Sequence, residues 1–207
     1  MIPMVCYGAG GHARVVMDAA RAGGMAVDWV IDDHPTSEVL DGVPVLASSD
    51  PRWRDLAAFR FVVTVGRNET RARLFSVLEA RGGTAITVVH PRAVVSDRAQ
   101  IGRGCVVMAG VVVNPGVRVG RNCILNTGCT LDHDCEIGDD VHVCPGVHLA
   151  GNVTVGEGTM LGIGVCAIQG RVIGPRSTVG AGSVVVRDLP GNCVAFGNPA
   201  RVRRNLA

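Results

Sequence analysis

The sequence predicts an α/β fold with a small parallel sheet over residues 1–88, followed by an all-β fold of stacked short strands over residues 89–207. Two observations separate the halves. Apolar runs alternate with helical stretches in the first half, whereas an aliphatic residue recurs at every sixth position in the second. Because 47% of the 207 residues are hydrophobic, the chain can bury a sizeable core.

The first half is typical of βαβ units around a Rossmann-like parallel sheet, because short apolar runs are separated by stretches with helical spacing. The glycine pairs Gly23–Gly24 and Gly82–Gly83 stand where two helices are expected to end. Asn68 is expected to cap the start of the second helix. The apolar runs are VCYGAG, AVDWVIDD, FRFVVTVG and TAITVVH.

The second half keeps a strict period of six from residue 101 to residue 185 without an insertion. Helices need apolar spacings of three and four and simple strands need two, so this period predicts a repeat architecture. Fourteen of the fifteen positions are Val, Ile or Leu, and the fifteenth is Ala. They are Ile101, Val107, Val113, Val119, Leu125, Leu131, Ile137, Val143, Leu149, Val155, Leu161, Ala167, Ile173, Val179 and Val185.

An aliphatic–glycine pair recurs every eighteen residues, so three hexapeptides form the larger unit. Three short strands per coil are typical of the left-handed parallel β-helix, a triangular prism. In this prism the aliphatic residue and a small residue two positions earlier point inward. Val106 and Val112 are expected to face outward and to support contacts between subunits. The pairs begin at Ile101, Val119, Ile137, Val155 and Ile173.

Residues 131–152 hold three of the six histidines and two of the eight cysteines, a density that suggests a metal site. The repeat argues against one. His133, His142 and His148 fall on corner or outward positions, whereas the cysteines two positions before an aliphatic residue point inward. Thiols and imidazoles then cannot converge on one ion, and no metal is expected. The inward cysteines are Cys105, Cys123, Cys129 and Cys135.

Composition argues against two classes of partner. A formal charge of +2 without an arginine-rich block, and 3% aromatic residues, predict no nucleic acid binding. The first residues show no basic segment followed by an apolar stretch, and no window approaches eighteen apolar residues. Neither a secretory signal nor a membrane span is therefore expected, and the cytoplasm is the expected location.

Gly10, Gly11 and His12 lie in the turn GAGGHA, which follows the first strand and opens the first helix. Backbone N–H groups in such a turn can bind phosphate. Asp32 and Asp33 follow about twenty residues on and can accept hydrogen bonds from a ribose or a base. Fewer than ninety residues cannot supply both halves of a dinucleotide site, which favours a single nucleotide diphosphate. The alternative is a tight turn and a solvated strand end without a ligand.

Together these motifs resemble the nucleotide-sugar acetyltransferases of the hexapeptide-repeat superfamily, in particular the PglD-type N-acetyltransferases of UDP-4-amino-sugars. Sialic acid O-acetyltransferases are near relatives. The β-helix and the GNPA segment are shared by many acyltransferases, whereas their combination with an N-terminal GAGGH domain is narrower. The resemblance spans nearly the whole chain and is carried by YGAGGHARVV, VIDD, VGRNETR, LNTGCTLDHDCEIG, HVCPGVHLAGNVTVG and VGAGSVVVRDLPGNCVAFGNPAR.

The resemblance implies a homotrimer with acetyl-CoA in the groove between neighbouring β-helices and a nucleotide-linked amino sugar held by the N-terminal half. His133, followed by Asp134, matches the family's catalytic base. Asp134 departs from members that carry Glu, and Arg67 stands where a small or amide residue is common. The implied acetyl-CoA contacts are His142, Gly151, Ile163 and Ala181. The implied substrate contacts are Gly10, Gly11, His12, Asp32, Asp33, Gly66, Asn68, Arg71 and Asn126.

Acyl transfer from a thioester to an amine needs a base and a donor to the developing oxyanion. His133 can be the base with Asp134 holding its tautomer. Gly151, eighteen residues on, can donate its N–H to the oxyanion and leave room for the acetyl group. Inward cysteines disfavour a covalent acetyl-enzyme. We predict direct N-acetylation of a nucleotide-linked 4-amino-4,6-dideoxy sugar. The alternatives are sugar O-acetylation of the sialic acid type and a non-catalytic nucleotide-sugar-binding module.

Overall fold

The structure, a computed structural model, describes residues 2–54 and 57–206. An α/β unit with a six-stranded sheet comes first, and stacked coils of parallel strands with a terminal hairpin follow. The predicted fold class is confirmed for both halves. No helix among the described residues has the length and apolar character needed to cross a membrane.

The N-terminal elements are β1 (Met4–Tyr7), α1 (Gly11–Ala22), β2 (Trp29–Asp32), β3 (Val39–Leu40), β4 (Val43–Ala47), α2 (Pro51–Arg54), β5 (Arg60–Val63), α3 (Asn68–Ala80) and β6 (Thr84–Ala85). Their sheet has the order β3-β4-β2-β1-β5-β6, and only the β3–β4 pair is antiparallel. All four residues of β1 are buried, since alternate side chains enter two separate apolar clusters on opposite faces. The carboxyl ends of β1, β2 and β5 therefore meet at one edge of the sheet.

One helix end differs from the prediction. Gly23 ends α1 and Gly82, with a φ of +83°, follows α3, as expected for glycines at helix ends. Asn68 does not cap α3: it is the first helical residue, and the residue before it makes no side-chain cap. Its Nδ2 instead donates to the carbonyl of Gly158 at 2.9 Å, so a long-range contact replaces the local one.

Three faces of two-residue parallel strands make the prism, and strands eighteen residues apart pair in register. The first face comprises Val88–Val89, Val106–Val107, Ile124–Leu125, His142–Val143, Met160–Leu161 and Thr178–Val179. The second face comprises Val94–Val95, Val112–Val113, Thr130–Leu131, His148–Leu149, Cys166–Ala167 and Val184–Val185. The third face comprises Gln100–Ile101, Arg118–Val119, Glu136–Ile137, Thr154–Val155 and Val172–Ile173. Cys193–Phe196 extends the first face, and Arg201–Asn205 pairs with it in antiparallel fashion.

The coils begin before Ile101, the position from which the six-residue period is counted. Val88–Val89 already pairs with Val106–Val107, and Val94–Val95 pairs with Val112–Val113. The predicted boundary between residues 88 and 89 thus falls inside the first strand of the first face. The interior follows the pattern, because the aliphatic residues and the small residues before them are buried. Four cysteines are at most 1% exposed, which confirms their inward orientation: Cys105, Cys123, Cys129 and Cys135.

The N-terminal half covers the beginning of the first face, where Val88–Val89 and Val106–Val107 lie. Helix α1 packs against Val88–Val89, and Val106 belongs to the same buried cluster as Val16 and Met17. Val106 is 1% exposed, so its predicted outward exposure is wrong: the docked α/β unit covers this strand. Val112 lies on the second face and is half-buried.

Candidate functional site

His133 and Asp134 form a hydrogen-bonded pair in the corner between the second and third faces, here called the second corner (residues 132–134, 150–152 and 168–170). Asp134 has a φ of +58°, in the left-handed region that Asp, Asn and Gly tolerate best. The equivalent positions in the next two coils are Asn152 and Gly170, also with positive φ. In this conformation the Asp134 carboxylate lies beside the imidazole, with Oδ2 2.9 Å from Nδ1 of His133.

The pair has the electrostatics of a base oriented toward solvent. Because a carboxylate only accepts, Nδ1 of His133 carries the proton in this pair and Nε2 of the neutral ring holds a lone pair. The hydrogen bond to Asp134 raises the pKa of His133 above its ordinary value. The side chain of His133 is 56% exposed, so the ring is accessible to solvent.

Neighbouring coils support the pair through residues that the sequence analysis missed. Asp132 Oδ1 accepts from the His133 N–H at 2.8 Å and from Nδ2 of Asn114 at 2.9 Å. A Cβ added at Gly116 would overlap the Asp134 carboxylate, so only glycine leaves that space. Asn114 precedes Asp132 by eighteen residues and Gly116 precedes Asp134 by eighteen, so the coil period was the available signal.

Gly151 lies in the coil above His133, and its role needs a correction. A Cβ at Gly151 would overlap the His133 ring, so the space expected for the acetyl group is occupied by the imidazole. The N–H of Gly151 follows Ala150, which offers no side-chain acceptor of the kind that Asp132 offers His133. No backbone carbonyl in the described residues accepts from it either. Within the described part of the chain, the N–H of Gly151 therefore has no hydrogen-bond acceptor, and it lies next to the His133 ring.

The carboxyl ends of β1, β2 and β5 form the N-terminal crevice (residues 8–12, 32–33 and 64–66). A Cβ at Gly10 or Gly11 would have nothing within 4 Å, so the start of α1 is open to a ligand. Asp32 Oδ2 accepts from the Ala9 N–H at 2.7 Å and so orders the glycine turn. The Tyr7 hydroxyl donates to Oδ1 of Asp33 at 2.6 Å and lowers the pKa of this exposed carboxylate.

Two histidines meet where the crevice contacts the first face. The rings of His12 and His142 have centroids 6.3 Å apart, and Nε2 of His12 is buried without a hydrogen-bond partner among the described residues. Burial, and then the charge of Arg71, lower the pKa of each histidine to about 4. His142 lies on the outward side of its strand, as predicted, but it is only 9% exposed because the docked α/β unit covers this strand.

His142 contacts residues from both halves of the chain. Its Nδ1 lies 3.2 Å from the carbonyl oxygen of Gly66, and its Nε2 lies 3.2 Å from Nδ2 of Asn126. The resemblance placed His142 with acetyl-CoA and the other two residues with the sugar nucleotide. The structure brings all three together where the N-terminal crevice contacts the first face, a region here called the junction (His12, Gly66, Arg71, Asn126 and His142).

Arg71 ties the two halves together. It is 1% exposed, and it donates from Nε to the Asn122 carbonyl at 2.9 Å and from Nη2 to the Asp140 carbonyl at 2.7 Å. Its Nη1 donates to Oδ1 of Asn68 at 3.0 Å and to the Gly66 carbonyl at 3.2 Å. All three nitrogens are thus bonded to protein, which does not support the predicted substrate contact. Asn68, which accepts from Arg71, also lines a groove of about 510 Å³ between α3 and the first face.

The remaining predicted residues occupy another corner. Asn126, Ile163 and Ala181 lie between the first and second faces, here called the first corner (residues 126–129, 144–147, 162–165 and 180–183). Ile163 is 62% exposed, and its carbonyl accepts from the Gly182 N–H in the next coil at 2.8 Å. The whole second face separates the first corner from His133. One chain therefore does not bring the predicted base and the predicted substrate residues together.

Comparison with known proteins agrees with this two-part architecture. Residues 4–78 match the PglD N-terminal domain. Residues 98–133 and 116–151 match the bacterial transferase hexapeptide (six repeats), and residues 152–187 match the hexapeptide repeat of succinyl-transferase. Fold and repeats therefore define the class as hexapeptide-repeat acyltransferases.

Solved structures narrow the class. PerB from Caulobacter crescentus, in complex with CoA and GDP-perosamine, is 40% identical, with 98% of this chain and 97% of that chain covered and a TM-score of 0.92. The acetyltransferase domain of PglB from Neisseria gonorrhoeae FA1090, in complex with acetyl coenzyme A, is 37% identical, with 97% and 98% covered and a TM-score of 0.87. The chain belongs to the PglD-like nucleotide-sugar N-acetyltransferase family, as the resemblance predicted.

Curated relatives match over a shorter segment. The dTDP-3-amino-3,6-dideoxy-alpha-D-galactopyranose 3-N-acetyltransferase of Aneurinibacillus thermoaerophilus is 45% identical over 49 residues, which cover 24% of this chain and 26% of that protein. The chain spans about a quarter of the length of the curated relatives it matches. These relatives therefore support the repeat and its class of chemistry.

Proposed function

We propose that this chain is an acetyl-CoA-dependent N-acetyltransferase acting on the 4-amino group of a nucleotide-linked 4-amino-4,6-dideoxy sugar, with His133 as the general base. The observation that carries the proposal is the His133–Asp134 pair, joined at 2.9 Å and next to the free N–H of Gly151. A base and an oxyanion donor side by side are what acyl transfer requires.

The reaction needs no covalent enzyme intermediate. The neutral sugar amine attacks the thioester carbonyl carbon, a C–N bond forms, and Nε2 of His133 takes the proton that the nitrogen loses. The C–S bond then breaks, and the proton passes from His133 to the departing thiolate. Asp134 keeps Nδ1 protonated throughout, so that Nε2 is the atom that receives and returns the proton.

Two further groups complete the chemistry. The N–H of Gly151 donates to the carbonyl oxygen as negative charge develops on it. In the N-terminal crevice, the N–H groups at Gly10 and Gly11 bind the diphosphate at the start of α1. Asp33, fixed by the Tyr7 hydroxyl, accepts hydrogen bonds from the ribose or the base.

A single copy does not complete this site, so we extend the proposal to a homotrimer with sites between copies. The second corner of one chain supplies His133, Asp134 and Gly151. The crevice and first corner of the next chain supply the sugar-nucleotide residues and Asn126. The outward side chains of the second face are mostly uncharged and are half-buried or exposed, as expected of a surface that another copy covers: Val94, Val112, Thr130, His148, Cys166 and Val184.

A nitrogen acceptor is favoured over a sugar hydroxyl by the relatives that cover the chain. PerB, which contains GDP-perosamine in its structure, matches over 98% of this chain, whereas galactoside O-acetyltransferase of Lactococcus lactis matches over 26%. A binding module without activity is disfavoured because the His133–Asp134 pair and its supporting glycines would have no purpose in it.

The test is thiol release from acetyl-CoA with UDP-, GDP- and dTDP-linked 4-amino sugars and a sialic acid as acceptors. The wild-type protein is expected to turn over one of the amino sugars. His133→Ala is expected to lower that rate by about 10²- to 10⁴-fold, the usual contribution of a general base. His90→Ala is the matched control, since His90 lies in the lowest coil, outside every predicted site, and is expected to keep the rate within about twofold.

Two outcomes would contradict the proposal. Turnover of sialic acid alone would establish O-acetylation instead. Silence on every acceptor, with CoA and a nucleotide still binding in calorimetry, would support a binding module.

A further inference from the structure

The second face carries a histidine and a cysteine that the proposed reaction does not use. His148 is exposed and Cys166 is half-buried, and both stand on the outward side of their strands, since the residue after each is buried. The two strands pair in register, so His148 lies beside Cys166. Cys166 thereby differs from the four buried cysteines that fill the interior of the prism. An imidazole and a thiol, both ligands of transition metals, share one outer surface.

The strand on the other side of His148 orients its imidazole. Thr130 pairs in register with His148, and its Oγ1 lies 2.9 Å from Nδ1 of the ring. When Nδ1 donates to this hydroxyl, the lone pair of the neutral ring is on Nε2. A metal-ligating histidine needs this arrangement, with its second nitrogen held by a hydrogen-bond partner. Thr130 can therefore hold Nε2 of His148 ready for an ion outside the chain.

One chain supplies too few ligands on this surface. Among residues 2–54 and 57–206, no group of three His, Cys, Asp or Glu side chains could hold a metal ion. On the outward side of the second face, the strands next to this pair carry Thr130 and Val184, which add no further ligand of these types. A structural zinc site takes four ligands. The remaining ligands must come from other copies of the chain.

The proposed homotrimer supplies these ligands by symmetry. In that assembly the first and second corners of each chain meet the neighbouring chains, and the second face lies between these two corners. The second face of every copy is then turned toward the three-fold axis, and equivalent residues of the three copies surround one point of that axis. The His148 rings form one layer around the axis, and the Cys166 thiols form the next layer.

The spacing of the two layers suits a single transition-metal ion. Neighbouring strands are about 4.8 Å apart. Zinc bonds to an imidazole nitrogen and to a thiolate sulfur are about 2.1 Å and 2.3 Å long, so together they span about 4.4 Å. An ion between the layers can therefore reach both kinds of ligand. A mixed nitrogen and sulfur ligand set favours zinc over magnesium or calcium.

We propose that three copies of this chain bind one divalent transition-metal ion of the zinc class on the three-fold axis, through Nε2 of His148 and the thiolate of Cys166. Thr130 is the positioning residue for the imidazole. Each thiol that binds the ion releases its proton to solvent. The ion is structural, because the second face lies apart from the corners where acetyl transfer is proposed. The inference rests on the homotrimer of the proposed function and revises the expectation that no metal binds.

Zinc content and light scattering test this site on the full chain. The protein is stripped with EDTA under reducing conditions, loaded with Zn²⁺ and desalted, and its zinc is measured together with its mass in solution. A trimer with one zinc per three chains is expected. His148→Gln is expected to lose the retained zinc. Thr130→Val is expected to raise the Kd for zinc about tenfold, the usual cost of losing the partner of a ligating histidine.

Cobalt shows whether the thiol is a ligand. Co²⁺ in place of Zn²⁺ gives a charge-transfer absorption band when it is bound to a thiolate, and Cys166→Ser is expected to abolish this band. His133→Ala is the matched control, since His133 is the exposed histidine of the second corner. This variant is expected to retain one zinc per three chains.

The outcomes separate this site from the proposed function. A trimer that retains no zinc would overturn the axial site alone, and zinc kept in His148→Gln but lost in His133→Ala would move the ion to the second corner. A monomer at every concentration would reject both the axial site and the shared acetyltransferase site. Retained zinc in a wild-type protein that releases no thiol with any acceptor would reject the proposed function alone.

Discussion

His133 and His142 lie nine positions apart on the same repeat and differ in exposure, in hydrogen-bond partners and in the direction of the pKa shift. His133 stands in an open corner, bonded at Nδ1 to a carboxylate that raises its pKa. His142 is buried beneath the α/β unit, bonded at Nδ1 to a carbonyl, and has a pKa of about 4. In both rings Nδ1 carries the proton, yet only Nε2 of His133 is free for chemistry.

The difference shows what decides the role of a histidine on this scaffold. The coils provide many equivalent positions, and the neighbours of each position determine the charge and the solvent accessibility of the side chain there. A carboxylate beside an exposed ring is the arrangement proposed for the base, whereas a carbonyl and a carboxamide surround the buried, neutral ring of His142.

Acid is expected to destabilise the junction at His12 and His142. Their pKa values of about 4 lie below the ordinary value of 6.5, so the unfolded chain binds more protons between these limits and stability falls as pH falls through this range. The expected loss in the free energy of unfolding between pH 7 and pH 4.5 is about 2 kcal/mol per histidine, or roughly 4 kcal/mol for the pair. Urea unfolding at both pH values measures it.

His142→Gln should remove about half of that acid sensitivity, and His133→Ala should remove none of it. His133 has a raised pKa, so any stability that it contributes is present below pH 6.5 and is lost as pH rises through its folded pKa, the opposite sign. Equal acid sensitivity in wild type and His142→Gln would contradict the distinction between a buried His142 with a lowered pKa and an exposed His133.

Gly151→Ala is expected to disturb the open histidine and leave the buried one intact. The added Cβ would overlap the His133 ring, which must move away from its position against the coil above. A displacement of about 1 Å costs roughly a hundredfold in rate. Thiol release measures the loss, and an unchanged urea midpoint shows that the coil remains folded. A rate within twofold of wild type would argue that the ring position is not set by this glycine.

Arg71→Met is expected to weaken the junction without touching the second corner. It leaves the Asn122 and Asp140 carbonyls without their donors, which should lower the free energy of unfolding by about 2 kcal/mol. Arg73→Met on the same helix is the matched control, since Arg73 is exposed, and it should change stability by less than about 0.5 kcal/mol. Similar losses of stability in both variants would show that the buried guanidinium of Arg71 contributes no more to stability than an exposed arginine does.

Asp134→Asn should have the smallest effect and the most diagnostic pH profile. Asn tolerates the positive φ at this position, so the turn is preserved while the charge is lost. The pKa of His133 then falls, and the acid limb of kcat/KM moves to lower pH, with a loss of about tenfold near neutrality. An acid limb at the same pH in both proteins would show that His133 is not the group that titrates.

The sequence was informative where a short-range pattern determines the structure. The six-residue period and the βαβ alternation predicted both folds, and the inward cysteines followed from their place in the repeat. The burial of His142 and Val106 could not be read this way, because each occupies an outward position of the repeat and is covered only by the docked α/β unit. For the same reason Asn68 appeared to be a helix cap, although its partner, Gly158, lies ninety positions away.

The site was predictable in part. His133 and Asp134 could be predicted to pair because they are adjacent in the sequence. Gly151 could be placed over the ring because it follows His133 by the eighteen residues of one coil. That the predicted base and Asn126 occupy separate corners required the assignment of residues to faces, which depends on the coil geometry. This separation leads to the central claim, that one site is built from two copies of the chain.

Complementation between two impaired variants tests whether two copies of the chain share one site. His133→Ala and Asn126→Ala proteins are co-expressed with different tags, and mixed oligomers are purified through both tags. If copies share sites in a trimer, each mixed trimer has an intact pairing at one of its three sites, and the purified mixture should regain about a third of the wild-type rate of thiol release. A rate no higher than the mean of the two separate variants would contradict the account and place the whole site within one chain.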